Sequence, residues 1–172
     1  MFRKAALADL EAISSIYDAI HDMEENDLLT TGWQRHIYPT EQTAQAAIEA
    51  GDMFVMEQDG HIVAAARINQ IQGKEYAQAH WSCDVPEQNV MVLHTLVVSP
   101  DAFGKGYATQ FVSFYETCAA QQGCTHLRMD TNQRNLPARA LYQKLGYREV
   151  SVVPCTFNDI EGVQLVCLEK AL

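Results

Sequence analysis

No apolar run in this chain is long enough to cross a bilayer. The richest, VMVLHTLVV (90–98), falls well short of the roughly 20 residues that a spanning helix needs. The opening MFRKAALADLEAISSIY also lacks the apolar core of about 7–15 residues that marks a secretory signal. These two lacks predict a soluble, cytoplasmic protein with no membrane partner. Positive charge is scarce as well: 12 Lys and Arg stand against 22 Asp and Glu, a formal net charge of −10. General nucleic-acid binding draws on Lys and Arg, so no nucleic-acid partner is expected. Cysteine is present without order. Cys83, Cys118, Cys124, Cys155 and Cys167 are odd in number, widely spaced and free of any C-x-x-C, which reads as free thiols. Zinc would need clustered ligands, so no metal is expected. There is no low-complexity tract and no internal repeat. The remaining composition, 48% apolar over 172 residues, suits a single domain spanning 1–172 with one core.

Periodicity then supplies the elements. Leu10, Ile13, Ile16, Tyr17 and Ile20 recur at helical spacing and predict an amphipathic helix over 9–23, with Asp9 as cap or first-turn acid. PTEQTAQAAIEAG reads as a second helix between an N-cap at Thr40 and Gly51. MFVMEQDGHIVAAARINQ is a hairpin joined at Asp59-Gly60. NVMVLHTLVVSP (89–100) is nearly continuously apolar, as a central strand covered on both faces should be. A helix ending at Gly123, the strand THLRMDT and a short helix from Asn135 to Gly146 follow, with Pro137 in its first turn. Two strands close the chain, near 147–153 and 163–169, and a short one opens it near 2–6. The order β-α-α-β-β-β-α-β-α-β-β implies an α/β protein with one mixed sheet flanked by helices. Two long connections, 24–40 and about 70–89, carry Trp33, Tyr38, Tyr76 and Trp81, and connections of that length often bind something.

The stretch SPDAFGKGYATQF (99–111) raises a sharper question. Gly104 and Gly106 sit just before a helix, where unpaired N–H groups and partial positive charge gather an anion. A plain turn explains two glycines equally well. A dinucleotide fingerprint would need Gly or Ala where Thr109 stands, and a P-loop would need G-K-[ST]. The local charge agrees with an anion seat. Residues 105–148 carry +4 and the rest of the chain −14, although scattered solvated charge is the usual meaning of such an asymmetry.

The loop does not stand alone. HTLVVSPDAFGKGYATQFV followed by THLRMDTNQRNLPARALYQKLGYREV resembles the GNAT superfamily of CoA-dependent N-acetyltransferases. Its signature is a strand ending in a V-x-P-like turn, then [QR]-x-x-G-x-[GA] opening a helix, and later N-x-x-A-x-x-[LF]-Y-x-x-x-G-[FY]. The second part is complete in Asn135, Ala138, Leu141, Tyr142, Gly146 and Tyr147; in the first, Phe103 stands where the family usually has Arg or Gln.

That resemblance implies a mixed, mostly antiparallel sheet of about six to seven strands with about four helices. It also implies a site for acetyl-CoA. The amides of Phe103, Gly104, Lys105, Gly106, Tyr107, Ala108 and Thr109 would hold the diphosphate. Leu96, Val97 and Val98 would pair with the pantetheine arm as an added strand, and Asn135 and Ala138 would line the thiol end. Tyr142 matches the family's general acid, although it also shares a packed stripe with Ala138 and Leu145. A tyrosine and a thiol differ by about 1.5 pKa units, or about 2 kcal/mol, so a hydrogen bond to the departing sulfur suffices. His94, the only ionisable group in its strand, reads equally as a core residue and as the base that takes the amine's proton. Asp130 and His126, alternating on one strand face, are the weaker candidates, and the strand amide near Val97 is the expected oxyanion donor.

The activity expected is acetyl transfer from acetyl-CoA to a primary amine of a small molecule or peptide by direct attack; no G-x-S-x-G points to an acyl-enzyme. The rival is a non-catalytic acyl-CoA sensor with the same fold, and a further alternative acts on protein N-termini. The negative remainder of the chain points towards a cationic acceptor, although solubility alone accounts for it. The sequence leaves a homodimer open.

Overall fold

The computed structural model describes residues 1–172, and the elements occur in the order that the periodicity implies. Strands β1 (Phe2–Lys4), β2 (Met53–Gln58), β3 (His61–Asn69), β4 (Val90–Val98), β5 (His126–Asn132), β6 (Arg148–Phe157) and β7 (Ile160–Ala171) form one sheet. Its order is β1-β2-β3-β4-β5-β7-β6, and every neighbouring pair is antiparallel except β4 and β5. Helices α1 (Leu10–Glu25), α2 (Glu41–Glu49), α3 (Tyr107–Gln121) and α4 (Leu136–Lys144) cover the faces. The last two strands run longer than the sequence pattern suggests. Asn158 and Asp159 both take positive φ (49° and 62°) and close a two-residue hairpin between Phe157 and Ile160, a turn that Asn and Asp accept readily.

Packing follows the predicted stripes. Ile13, Ile16, Tyr17 and Ile20 of α1 are buried against α2, β2 and Val97 of β4, where each isoleucine contributes roughly 1.5–3 kcal/mol. Thr40 caps α2, its hydroxyl accepting from the Thr43 amide at 3.3 Å. Asp9 makes no such bond to α1. Its carboxylate instead takes the Ala6 amide at 2.8 Å and Arg3 at 2.6 Å, fastening β1 to the turn that leads into α1. On the other face, α3 and α4 bury Phe111, Tyr115 and Tyr142 with Met91, Leu93 and Leu127. The chain from 76 to 85 covers a third cluster that includes Val90, Val92 and Leu165.

The feature that positions the site is a parting of strands. β4 pairs with β5 only from Val90 to Leu93, whereas β5 stays on β7 as far as Asn132. The Tyr115 hydroxyl, reaching down from α3, shares its proton between Met91 O (2.6 Å) and Arg128 O (3.1 Å) across this short seam. Beyond it, β4 bulges. Arg67 pairs with His94 and Ala65 with Val97, so Thr95 and Leu96 together face Ala66. Thr95 sits at φ 51°, an uncommon place for a β-branched residue. The extra residue reverses the side-chain alternation. Met91 and Leu93 point to the α3 face, and after the bulge Leu96 and Val98 do. The sheet therefore opens into a V between the far ends of β4 and β5.

Candidate active site

A cavity of about 680 Å³ fills the V. It is lined by every residue nominated from the sequence for acyl-donor binding or catalysis except Lys105, which is exposed, and the weaker candidate His126. At one end lies the glycine loop. Gly104 and Gly106 both take φ 77°, the left-handed conformation that glycine adopts without strain, and Gly106 is the residue that caps α3 without a side chain. No amide from 104 to 109 donates to any acceptor in the chain, and no side chain caps the helix. Six N–H groups are thus left unpaired in the loop and first turn of α3, by the positive end of its helix dipole. Phe103 is exposed at the rim, and its amide, expected among the diphosphate donors, is instead spent on Pro100 O at 3.1 Å.

The wider charge pattern does not concentrate here. Of the six basic residues in 105–148, Arg128 is buried with its guanidinium 4.0 Å from the Trp81 ring centroid. Arg139 pairs with Glu149 at 2.7 Å, and Arg148 bonds Ser82 at 2.9 Å. These three are engaged away from the glycine loop, which itself carries one basic side chain, the exposed Lys105.

Along β4 the edge facing the V is set by the ladder on its other side. Ser99 N donates to Val63 O at 2.8 Å, and Val97 stands opposite Ala65 in the same register. Amides alternate along a strand, so the Val97 amide points at β3 rather than into the cavity. The amides of Leu96 and Val98 face the V, so of the strand amides near Val97 these two are the ones open to the cavity.

Across the V, α4 begins at Asn135, whose side-chain oxygen accepts the Ala138 amide at 3.4 Å. The expected cofactor contact at Asn135 thus shares that residue with a helix cap. Tyr142 lies one turn beyond Ala138. Its ring packs into the core with Tyr147 (centroids 6.2 Å apart), and only 8% of the residue is exposed. The hydroxyl makes no hydrogen bond within the chain, and the residue lines the cavity. Packing and an available O–H are therefore both true of Tyr142. Burial first, then the charge of Asp130, hold its pKa above the usual tyrosine value.

The two histidine and aspartate candidates separate clearly. His94 Nε2 lies 3.0 Å from Asn69 Oδ1, which also accepts the Ile71 amide at 2.9 Å. Asn69 Nδ2 is committed to Asp52 at 2.7 Å. This chain of bonds places the imidazole proton on Nε2. Burial and the neighbouring Arg67 charge lower the His94 pKa to about 4, so His94 is neutral and weakly basic throughout the working range. Asp130, at the open end of β5, is the reverse. Burial, helped by the charge of Glu75, pushes its pKa up to about 7, while the Tyr76 hydroxyl, donating at 2.7 Å, pulls the other way. A carboxylate poised near neutrality has the properties of a general base. His126 sits at the opposite end of β5, bonded to Thr125 at 3.0 Å and away from the cavity lining.

The long connections supply the rest of the wall. The chain after α1 is tied back by Glu24, whose carboxylate accepts Thr31 N (2.7 Å), Thr31 Oγ1 (2.9 Å) and Gly32 N (2.9 Å). This places Leu29, Trp33 and Tyr38 in the cavity, with the Tyr38 hydroxyl bonded to Thr95 at the bulge. A Cβ on Gly32 would come within 2.3 Å of Asn132 Nδ2, so glycine is what lets the loop cross to β5. The second connection gives Ile71, Gly73 and Glu75, while Tyr76 stands behind the wall in the third cluster, bonded to Asp130. Trp81 instead covers Arg128, outside the cavity. Glu75 carries no motif, and no signal in the sequence separates it from other loop acids.

A sequence model described as the acetyltransferase (GNAT) family matches residues 14–147. The chain belongs to the GNAT family. It is an acetyltransferase by that membership, and solved structures agree in fold. A GNAT-family acetyltransferase from Streptococcus agalactiae superposes with a TM-score of 0.82 at 21% identity, over 100% of this chain and 95% of that one. A ribosomal-protein-alanine N-acetyltransferase from Brucella melitensis gives 0.73 at 18%, covering 100% and 99%. A Salmonella typhimurium protein solved with its cofactor acetyl-CoA gives 0.70 at 18%, covering 100% and 93%. No curated protein sequence matches significantly. In this GNAT chain no helix is long and apolar enough to cross a membrane.

Proposed function

We propose that the protein transfers the acetyl group of acetyl-CoA to a primary amine by direct attack, as one domain over residues 1–172. The observation that carries this reading is the set of unbonded amides from 104 to 109, at the mouth of a V whose other wall presents a free tyrosine hydroxyl. Six backbone donors fit a diphosphate without an Arg or Gln at position 103, where Phe103 stands. Leu96 and Val98 would pair with the amides of the pantetheine arm as an added edge. Acetyl-CoA supplies the acetyl group as a thioester.

The chain's residues divide the remaining work. As the amine nitrogen bonds to the acetyl carbon and the carbon–sulfur bond breaks, Asp130 takes the amine's proton, directly or through water. The Tyr142 hydroxyl donates a hydrogen bond to the sulfur, which leaves as thiolate. Burial widens the gap between the tyrosine and thiol pKa values, so Tyr142 stabilises the thiolate without surrendering its proton. His94 holds Asn69 and the bulge rather than acting as base. The test is release of free thiol from acetyl-CoA across an amine panel, with CoA affinity measured by calorimetry. Amine-dependent release is expected. Tight CoA binding with no release on any amine would make the protein an acyl-CoA sensor.

A further inference from the structure

We propose that the acceptor is a diamine without a carboxylate: the amine that reacts faces Asp130, and Glu75 receives its second ammonium. This rests on the acetyl-transfer reading above. Glu75 is only 6% exposed, yet its carboxylate makes no hydrogen bond or ion pair within the chain, and the residue lines the cavity. The carboxylate is thus open to the cavity and not spent inside the chain, and an unpaired carboxylate in such a wall attracts a cation. Lys74, its neighbour in sequence, faces solvent and does not pair with it.

The other charges of the cavity say what kind of molecule fits. Asp130 is the second carboxylate in the wall, already given one donor by Tyr76. The only cationic side chain in the lining is Arg67, and Asp52 neutralises it at 3.2 Å. An α-amino acid would bring its own carboxylate into this wall with no free cation to receive it. In the same lining, Trp33, Tyr38 and Phe157 offer aromatic side chains, which accommodate a methylene chain and attract an ammonium. A diamine satisfies both carboxylates and the apolar wall at once.

The experiment compares n-butylamine, its terminal diamine analogue and the amino acid norvaline as acceptors for the wild-type protein and for Glu75→Gln. A charge-assisted bond to a buried carboxylate corresponds to roughly tenfold or more in affinity. The diamine should therefore exceed the monoamine in kcat/KM by about that factor in the wild type, with norvaline poorest, and the advantage should shrink to about two- to threefold in Glu75→Gln. Calorimetry of the diamine with CoA bound gives an independent reading on the wild type alone, where binding tighter than that of the monoamine is expected. Equal turnover and equal binding of the three amines would overturn the diamine assignment while leaving acetyl transfer intact. Failure to bind CoA or to acetylate any amine would overturn both.

Discussion

Replacing Tyr76 by Phe removes one hydroxyl and little volume, and it tests whether Asp130 is the base. The ring is buried against Trp81 (centroids 5.0 Å apart) and the third cluster, so the packing survives. What is lost is the 2.7 Å hydrogen bond to Asp130 Oδ2, the contact that opposes burial and keeps the carboxyl near pKa 7. A hydrogen bond to a charged group is worth about 1.5–3 kcal/mol, and one pKa unit is about 1.4 kcal/mol. The Asp130 pKa should therefore rise by about 1–2 units. The sign follows directly: below its pKa the carboxyl is protonated and cannot accept the amine's proton, so the acidic limb of kcat/KM against pH must move to higher pH by that amount. At neutral pH the variant should retain roughly a tenth of wild-type activity, recovering most of it about two units higher. Stopped assays of free thiol across the pH range, on one good acceptor, read the limb. A limb that stays in place, or a loss equal at every pH, would refute the assignment of Asp130.

Further outcomes follow from the same geometry. Asp130→Asn should abolish most activity yet raise the melting temperature at pH 8; because the folded pKa of about 7 lies above the ordinary aspartate value of about 3.9, ionisation opposes folding, so this gain should fade as the pH drops from about 7 towards about 4. Tyr142→Phe should lower kcat by roughly 10²–10⁴-fold with CoA affinity little changed, and the loss should shrink for donors with a more acidic thiol; near-normal turnover on every acceptor would leave Tyr142 as packing. Gly32→Ala puts a methyl against Asn132 at a positive φ of 76°, so KM for the amine should rise several-fold while CoA binding, read by calorimetry, holds. His94→Ala should leave any acidic limb between pH 6 and 7 in place, since His94 is already neutral there; disappearance of that limb would restore His94 as the base.

Local pattern was enough for the elements. The spacing of Ile13, Ile16, Tyr17 and Ile20, the Thr40 cap and the Asp59-Gly60 turn are short-range facts, and each appears where periodicity and turn chemistry place it. The glycine loop and the run from Asn135 to Tyr147 are legible because bare backbone next to a helix start and a contiguous motif are both local features. Tertiary structure decided what depends on residues far apart. VMVLHTLVV reads as an unbroken buried strand, and nothing in it marks the bulge at Thr95 that reverses the facing of Leu96 and Val98. The ladder to β3, not the sequence of β4, turns the Val97 amide away from the cavity. His94 and Asp130 looked like a stronger and a weaker base, and burial beside Arg67 in one case and Glu75 in the other exchanged their ranks. A pKa is set by neighbours in space, and Glu75, Tyr76 and Asp130 meet only after the long connection folds across the end of β5.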